Sequence, residues 1–158
     1  MPATASTAIV TTMKTAGSPE AFRLVDYDYV VGFARFARKC GARTFVLLTS
    51  VDSTPKSRSF YLQVKGEAEQ AVETVGFESL YIFRPSFLIG NRREVRTGER
   101  IGIRAAKALQ FVLIGSLRKY RPITAETVAS AMSKAAEQAE HGVHVWHYDE
   151  IVDASVRR

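Results

Sequence analysis

The chain has 158 residues, with 46% hydrophobic and 24% charged side chains and a formal net charge of +6. This length and composition indicate one globular domain with a core of its own. No apolar run approaches the roughly 20 residues of a membrane-spanning helix, so we expect no membrane partner. Cys40 is the single cysteine, which excludes an internal disulfide bond and predicts a reducing, cytoplasmic location.

The positive charge permits contact with polyanions, but most of the basic side chains are scattered along the chain. Scattered charge is typical of a solvated surface. No aromatic stacking platform accompanies the one basic cluster, so nucleic acid is the least favoured partner. That cluster comprises Arg92, Arg93, Arg96, Arg100 and Arg104.

Residues 1–19 contain no acidic side chain and are rich in Ala, Thr and Ser. This composition is compatible with a transit peptide or with a short strand over about residues 7–11. Lys14 is the only basic residue in the segment, whereas transit peptides are rich in arginine. We therefore expect the strand.

A long helix is predicted over about residues 18–41. Ser18-Pro19-Glu20 combines an N-cap serine, a proline at the first helical position and an acid in the first turn. Gly41 is a suitable residue for its end. The apolar side chains at helical spacing are expected to face the core. They are Phe22, Val25, Tyr29, Val30, Phe33 and Phe36.

Two further strands are predicted at residues 44–49 and 79–84, joined by a helix that runs from Tyr61 to about Thr74. The uninterrupted apolar run at 44–49 is typical of a parallel strand that is buried on both faces. This order of elements predicts an α/β domain with a parallel sheet. Ligands of such sheets bind beyond the carboxyl ends of the strands, where Ser50 lies.

The C-terminal part is predicted to contain a helix at about residues 99–115, an extended piece at 120–123, a helix that begins near Thr124, and a strand at 143–146. Residues 151–158 are expected to be a disordered tail. Three histidines, at positions 141, 144 and 147, do not share a face, so we expect no metal site.

Tyr61 and Lys65 are four residues apart and therefore lie on one face of the predicted helix. A free phenol has a pKa near 10, and lowering it by about three units takes roughly 4 kcal/mol. One ammonium about 4 Å away, at an effective dielectric near 20, supplies about that much. The pair is thus a candidate proton shuttle for carbonyl and alcohol chemistry. A surface tyrosine beside a solvated lysine is the alternative interpretation.

Over residues 11 to about 131, the sequence resembles the atypical short-chain dehydrogenase/reductases, a family of NAD(P)-binding proteins. The resemblance rests on several separate segments. They are residues 11–18 (TTMKTAGS), 25–30 (VDYDYV), 47–50 (LLTS), 60–67 (FYLQVKGE), 83–86 (FRPS) with Gly90, and 121–123 (RPI).

The resemblance implies that Tyr61 is the catalytic acid-base group. Lys65 would bind the nicotinamide ribose of NADP or NAD and lower the pKa of the tyrosine. Ser50 would hold the carbonyl or alcohol group of a small substrate. Further residues would contact or lie near the cofactor: Thr11, Thr12, Arg84, Pro85 and Ser86.

The family's fold begins with a strand, a G-x-G-x-x-G turn and a helix that binds the pyrophosphate. None of the ten glycines here stands in that pattern. The resemblance therefore implies a partial Rossmann-like, doubly wound parallel sheet in a single truncated domain, residues 1–150, without the first β-α-β-α-β part. Its exposed sheet edge is expected to favour self-association.

Three functions follow from the sequence. The first is an NAD(P)-dependent oxidoreductase that uses Tyr61 and Lys65. The second is a non-catalytic remnant or binding module without a cofactor. The third is a polyanion binder that uses the arginine cluster at 92–104.

Overall fold

The computed structural model of the chain describes residues 4–7, 16–89 and 112–156, with residues 4–7 described by their backbone only. The predicted sites at Thr11 and Thr12, the arginine cluster and most of the predicted helix at 99–115 lie outside the described residues. In chain order the elements are β1 (Thr4–Thr7), α1 (Pro19–Arg23), a π-helical segment (Leu24–Tyr29), α2 (Val30–Lys39), β2 (Thr44–Leu48), α3 (Phe60–Glu73), β3 (Ser79–Phe83), β4 (Leu88–Ile89), a 3₁₀ helix (Gly115–Tyr120), β5 (Ile123–Thr124), α4 (Ala125–Gln138), β6 (Gly142–Trp146) and α5 (Tyr148–Val156).

Four strands form a parallel sheet in the order β1-β2-β3-β6. All five residues of β2 and all five of β3 are buried, because helices cover both faces of these central strands. Residues such as Phe45 and Leu80 pack against α2 and α3, while Val46 and Tyr81 pack against α4 and α5. The predicted α/β class and the parallel sheet flanked by helices are confirmed.

The predicted helix at 18–41 begins as expected, with the Ser18 hydroxyl accepting a hydrogen bond from the Ala21 amide at 3.1 Å. Its interior differs, because the π-helical segment places more residues in each turn than an α-helix does. The buried face of α2 is therefore displaced by about one residue, and the predicted core face is wrong at three aromatic positions. Tyr29, Phe33 and Phe36 are 55%, 38% and 64% exposed. The buried residues of α2 are Val30, Val31, Ala34 and Ala37.

The C-terminal residues also differ from expectation. The disordered tail predicted at 151–158 is wrong over 151–156, where α5 is formed. Ile151 and Ala154 are three residues apart and buried, and they pack in the core beside α4. Glu150 accepts a hydrogen bond from the His147 amide at 2.9 Å and so caps the start of the helix. No helix among the described residues is long and apolar enough to cross a membrane.

Helix α3 lies very close to the loop that follows β2. The Thr54 amide donates to the Leu62 carbonyl at 3.2 Å. A Cβ atom on Gly66 would lie 2.3–2.5 Å from backbone atoms of Thr54. Only glycine permits this approach, and the contact fixes the loop against the helix that carries Tyr61 and Lys65.

We predict that Gly66→Ala destabilises the protein by roughly 1–3 kcal/mol or more, because the added methyl group meets backbone that cannot rotate away. Gly32→Ala is the matched control, since Gly32 is also helical and a Cβ there has nothing within 4 Å. The control should be stabilising by about 0.5–1 kcal/mol. Denaturant unfolding measures both variants, and equal stabilities would contradict the close approach.

Candidate active site

Tyr61 lies in the first turn of α3, beside the carboxyl end of β2. Its half-buried ring packs against Phe22 of α1, with the ring centroids 5.4 Å apart. Ser50 lies just beyond β2, beside the phenol, and its side chain acts to lower the pKa of that phenol. The Lys65 ammonium lies 6.0 Å from the centroid of the Tyr61 ring. The structure thus brings the three predicted catalytic residues together at one edge of the sheet.

Lys65 has a partner that the sequence did not reveal. Its ammonium forms an ion pair with Asp26 Oδ1, in the middle of the π-helical segment. The two side chains are only 3% and 0% exposed. Apart from this ion pair, neither carboxylate oxygen of Asp26 has a hydrogen-bond partner among the described residues. Asp26 lies in residues 25–30, one of the segments that carry the family resemblance. Its charge was the one sequence feature that could have indicated a partner for Lys65.

The charge balance around Tyr61 differs from the predicted one. Burial is the largest influence and raises the pKa of the phenol, while the Ser50 side chain lowers it. The negative charge of Asp26 raises it further, and the net direction is upward from the usual value. The lowering of the tyrosine pKa that the resemblance implies for Lys65 is therefore not the net result in this structure.

Burial is also the largest influence on Asp26, and it raises the pKa of that carboxyl. The hydrogen bond and the charge of Lys65 act in the opposite direction. Asp26 and Lys65 thus interact mainly with each other, and the Tyr61 ring lies beside the pair, 6.0 Å from the Lys65 ammonium.

Arg84 is the first of the predicted cofactor residues beyond β3, and it contacts α3. Its guanidinium binds both carboxylate oxygens of Glu69, at 3.1 Å and 2.5 Å. The Thr49 hydroxyl donates to the same carboxylate. These hydrogen bonds connect the ends of β2 and β3 to α3. The Arg84 guanidinium therefore binds a carboxylate of the protein, rather than a ligand, in this structure.

Pro85 and Ser86 bridge loops at the same edge of the sheet. The Pro85 carbonyl accepts a hydrogen bond from the Val51 amide at 2.9 Å. The Ser86 hydroxyl donates to the Arg121 carbonyl at 2.7 Å. Both residues lie on the side of the sheet where the resemblance places the nicotinamide, with their polar groups engaged in these bridges.

Asp52 connects the loop after β2 to the 3₁₀ helix. It adopts a left-handed backbone conformation, with φ of 59°. Its carboxylate accepts hydrogen bonds from Lys119 and Tyr120, each at 2.6 Å, and the one from Lys119 is the larger cause of the lowered pKa of Asp52. These contacts join residues 67 and 68 positions apart, so they leave no local signal in the sequence.

The described residues contain no group of three or more His, Cys, Asp or Glu side chains arranged to hold a metal ion. His144 Nε2 instead lies 3.0 Å from the Glu140 carbonyl oxygen, and its ring stacks on Tyr81.

Known proteins resemble both the sequence and the fold, although no family model matches the chain. The chain is 44% identical to Protein HTATIP2 of Rattus norvegicus over 89 residues, and 39% identical to the mitochondrial Protein FMP52 of Coccidioides immitis over 88 residues. Each match covers 56% of this chain and 36% of the relative. The chain therefore spans well under two thirds of the length of these relatives.

Solved Rossmann-like enzymes share the fold. A dTDP-4-dehydrorhamnose reductase from Bacillus anthracis, in complex with NADP, matches with a TM-score of 0.62 at 13% identity. The enzyme WbmH of Bordetella bronchiseptica, in complex with NAD⁺, matches with a TM-score of 0.58 at 16% identity. Both matches cover 91% of this chain, and 55% and 52% of those chains.

The structure matches define a Rossmann-like α/β fold, the fold of these two nucleotide-bound enzymes. Over the matched residues the chain is a partial homologue of the HTATIP2 and FMP52 proteins, which confirms the resemblance found in the sequence.

The expected cytoplasmic location is wrong by the same comparison, because the FMP52 relatives are named as mitochondrial proteins. The expectation rested on Cys40 alone. A lone cysteine limits disulfide formation, but it carries no targeting information.

We predict that Glu69→Gln destabilises the protein by roughly 1.5–3 kcal/mol, because it removes the charge that the Arg84 guanidinium and the Thr49 hydroxyl contact. Glu78→Gln is the control, since Glu78 pairs with Arg43 at the surface. Exposed pairs contribute little, so this variant should unfold close to the parent. Thermal unfolding of the two variants measures the difference, and an equal loss would contradict a buried network.

Proposed function

We propose that this chain carries the proton-transfer side of an NAD(P)-dependent oxidoreductase that acts on small carbonyl or alcohol compounds. The observation that supports the proposal most directly is the position of the Tyr61 phenol beside Ser50, at the carboxyl edge of a parallel sheet. A phenol and a hydroxyl in that position suit a carbonyl oxygen that gains a proton.

The residues present suit the nicotinamide side of such a cofactor in part. Ser50 and Tyr61 are partly accessible at the sheet edge, and Pro85 and Ser86 follow the neighbouring strand. Lys65, which the resemblance assigns to the ribose, is engaged with Asp26 and almost inaccessible. We therefore assign the cofactor's nicotinamide to the Tyr61 side and make no assignment for its ribose.

In carbonyl reduction the bound nicotinamide supplies a hydride to the carbonyl carbon. Tyr61 donates its phenolic proton to the carbonyl oxygen, which becomes the alcohol. Ser50 orients the phenol and the substrate oxygen by hydrogen bonding, and the ring of Phe22 excludes water from one side of the phenol. The reverse reaction uses the same groups with the proton returned to Tyr61.

A second candidate is a binding module without turnover. The ion pair between Lys65 and Asp26 favours it, because a lysine whose charge is balanced by a carboxylate does little to activate a tyrosine.

Self-association is a separate proposal. Within the described residues β1 pairs only with β2, so its other edge offers backbone groups to a second copy.

Titration of the purified chain with NADPH, followed by nucleotide fluorescence and combined with its mass in solution, tests cofactor binding. Binding by a monomer or a larger assembly supports the oxidoreductase. No binding at millimolar nucleotide by a folded sample would contradict it and leave the binding module.

We predict that Tyr61→Phe lowers the turnover of aldehydes, ketones or quinones by about 10²–10⁴-fold, because the proton donor is lost while the ring and its packing remain. NADPH binding should be retained. Tyr27→Phe is the control, since the Tyr27 ring contacts Arg23 rather than Ser50 or Lys65. Loss of NADPH absorbance reports turnover, and unchanged turnover in Tyr61→Phe would refute the assigned role.

A further inference from the structure

Lys65 and Asp26 form a pair with almost no contact with water. Ionised side chains are rarely buried unless they are paired, because removing each charge from water costs several kcal/mol. Asp26 lies on a π-helical segment, a rare helix form that often occurs at functional sites. The widened turn also sets the register in which Asp26, rather than a neighbouring residue, faces α3. The π-helical backbone thus carries the one residue that pairs with Lys65 in this ion pair.

Tyr61 is contacted from each element that packs around it. Lys65 faces it from its own helix, at 6.0 Å from the ring centroid, and Asp26 faces it from the π-helical segment. From α1 it meets the Phe22 ring, and from the loop after β2 it meets the Ser50 hydroxyl. Among the described residues that face the phenol, the charged groups are one cation and one anion, which form an ion pair with each other.

We propose that Asp26 is a positioning residue that holds the Lys65 ammonium and neutralises its field, so that Tyr61 remains a neutral phenol and acts as a proton donor. An opposed pair of charges exerts much less field on a third group than one charge alone. Burial is the largest cause of the raised pKa of the phenol, and the charge of Asp26 adds to it. The role as a donor rests on the function proposed above, and it favours carbonyl reduction over alcohol oxidation in this arrangement.

The test follows the ionisation of Tyr61 by NMR in protein labelled at tyrosine Cζ, without nucleotide or substrate. The Tyr61 resonance is assigned by its loss in Tyr61→Phe. Asp26→Asn leaves the Lys65 charge uncompensated and should raise the phenolate fraction of Tyr61 at a fixed pH about tenfold or more. No increase would overturn the proposal. Asp28→Asn, two residues along the same segment and exposed, is the matched control and should leave the titration unchanged.

A second variant keeps the test decisive if Asp26→Asn does not fold. Asp26→Asn combined with Lys65→Met replaces the ion pair by two neutral side chains of similar size, a change that buried pairs often tolerate. Because the native pair is neutral as a unit, Tyr61 should titrate within about twofold of the parent in phenolate fraction. A tenfold lower phenolate fraction would show that the Lys65 charge acts on Tyr61 without neutralisation, and would overturn the proposal.

These titrations need neither cofactor nor turnover. A chain that fails to bind NADPH but titrates as expected would refute the proposed function and retain the role of Asp26. If the chain turns over substrate but Asp26→Asn leaves the titration of Tyr61 unchanged, the proposed function is supported and the role of Asp26 is refuted.

Discussion

Lys65 carries a charged side chain in the middle of a helix that packs on a hydrophobic sheet, and the whole residue is only 2% exposed to solvent. It is tolerated there because Asp26 supplies the opposite charge, and removing one partner of such a pair typically costs about 3–5 kcal/mol. The pair fixes the π-helical segment against α3. The contact of Phe22 with Tyr61 extends the same interface, and so does the ion pair of Arg23 with Glu67 at 2.5 Å.

One turn further along α3, the helix is held by a second buried charge group, in which Glu69 binds Arg84 and Thr49. Between these two groups, Gly66 lets the loop after β2 lie directly on the helix. The candidate site is therefore built on a rigid helix whose register is set from several directions. Rigid support of this kind is what a proton-transfer group requires, because catalysis is sensitive to small displacements.

Much of the fold could be predicted from the sequence, since the apolar runs at β2 and β3 and the cap at Ser18 are local signals. The exposed aromatics of α2 could not, because a π-helical segment changes the helical phase without an obvious marker in the sequence. The site was predictable as a group of residues: Tyr61, Lys65 and Ser50 do meet. The charge balance around Tyr61 could not be predicted, because Lys65 pairs with a residue 39 positions away in the sequence, Asp26. Helix α5 was missed because its short apolar stripe stands at the chain end.

The most direct test of this account is the exchange rate of the Lys65 ammonium protons, measured by NMR on protein labelled with ¹⁵N-lysine at neutral pH. The resonance is assigned by its loss in Lys65→Met, and the exposed Lys56 serves as an internal reference. The account predicts a charged ammonium whose protons exchange far more slowly than those of Lys56, because a buried ion pair protects them from water. Exchange as fast as that of Lys56 would contradict the buried pair and the charge balance assigned to Tyr61.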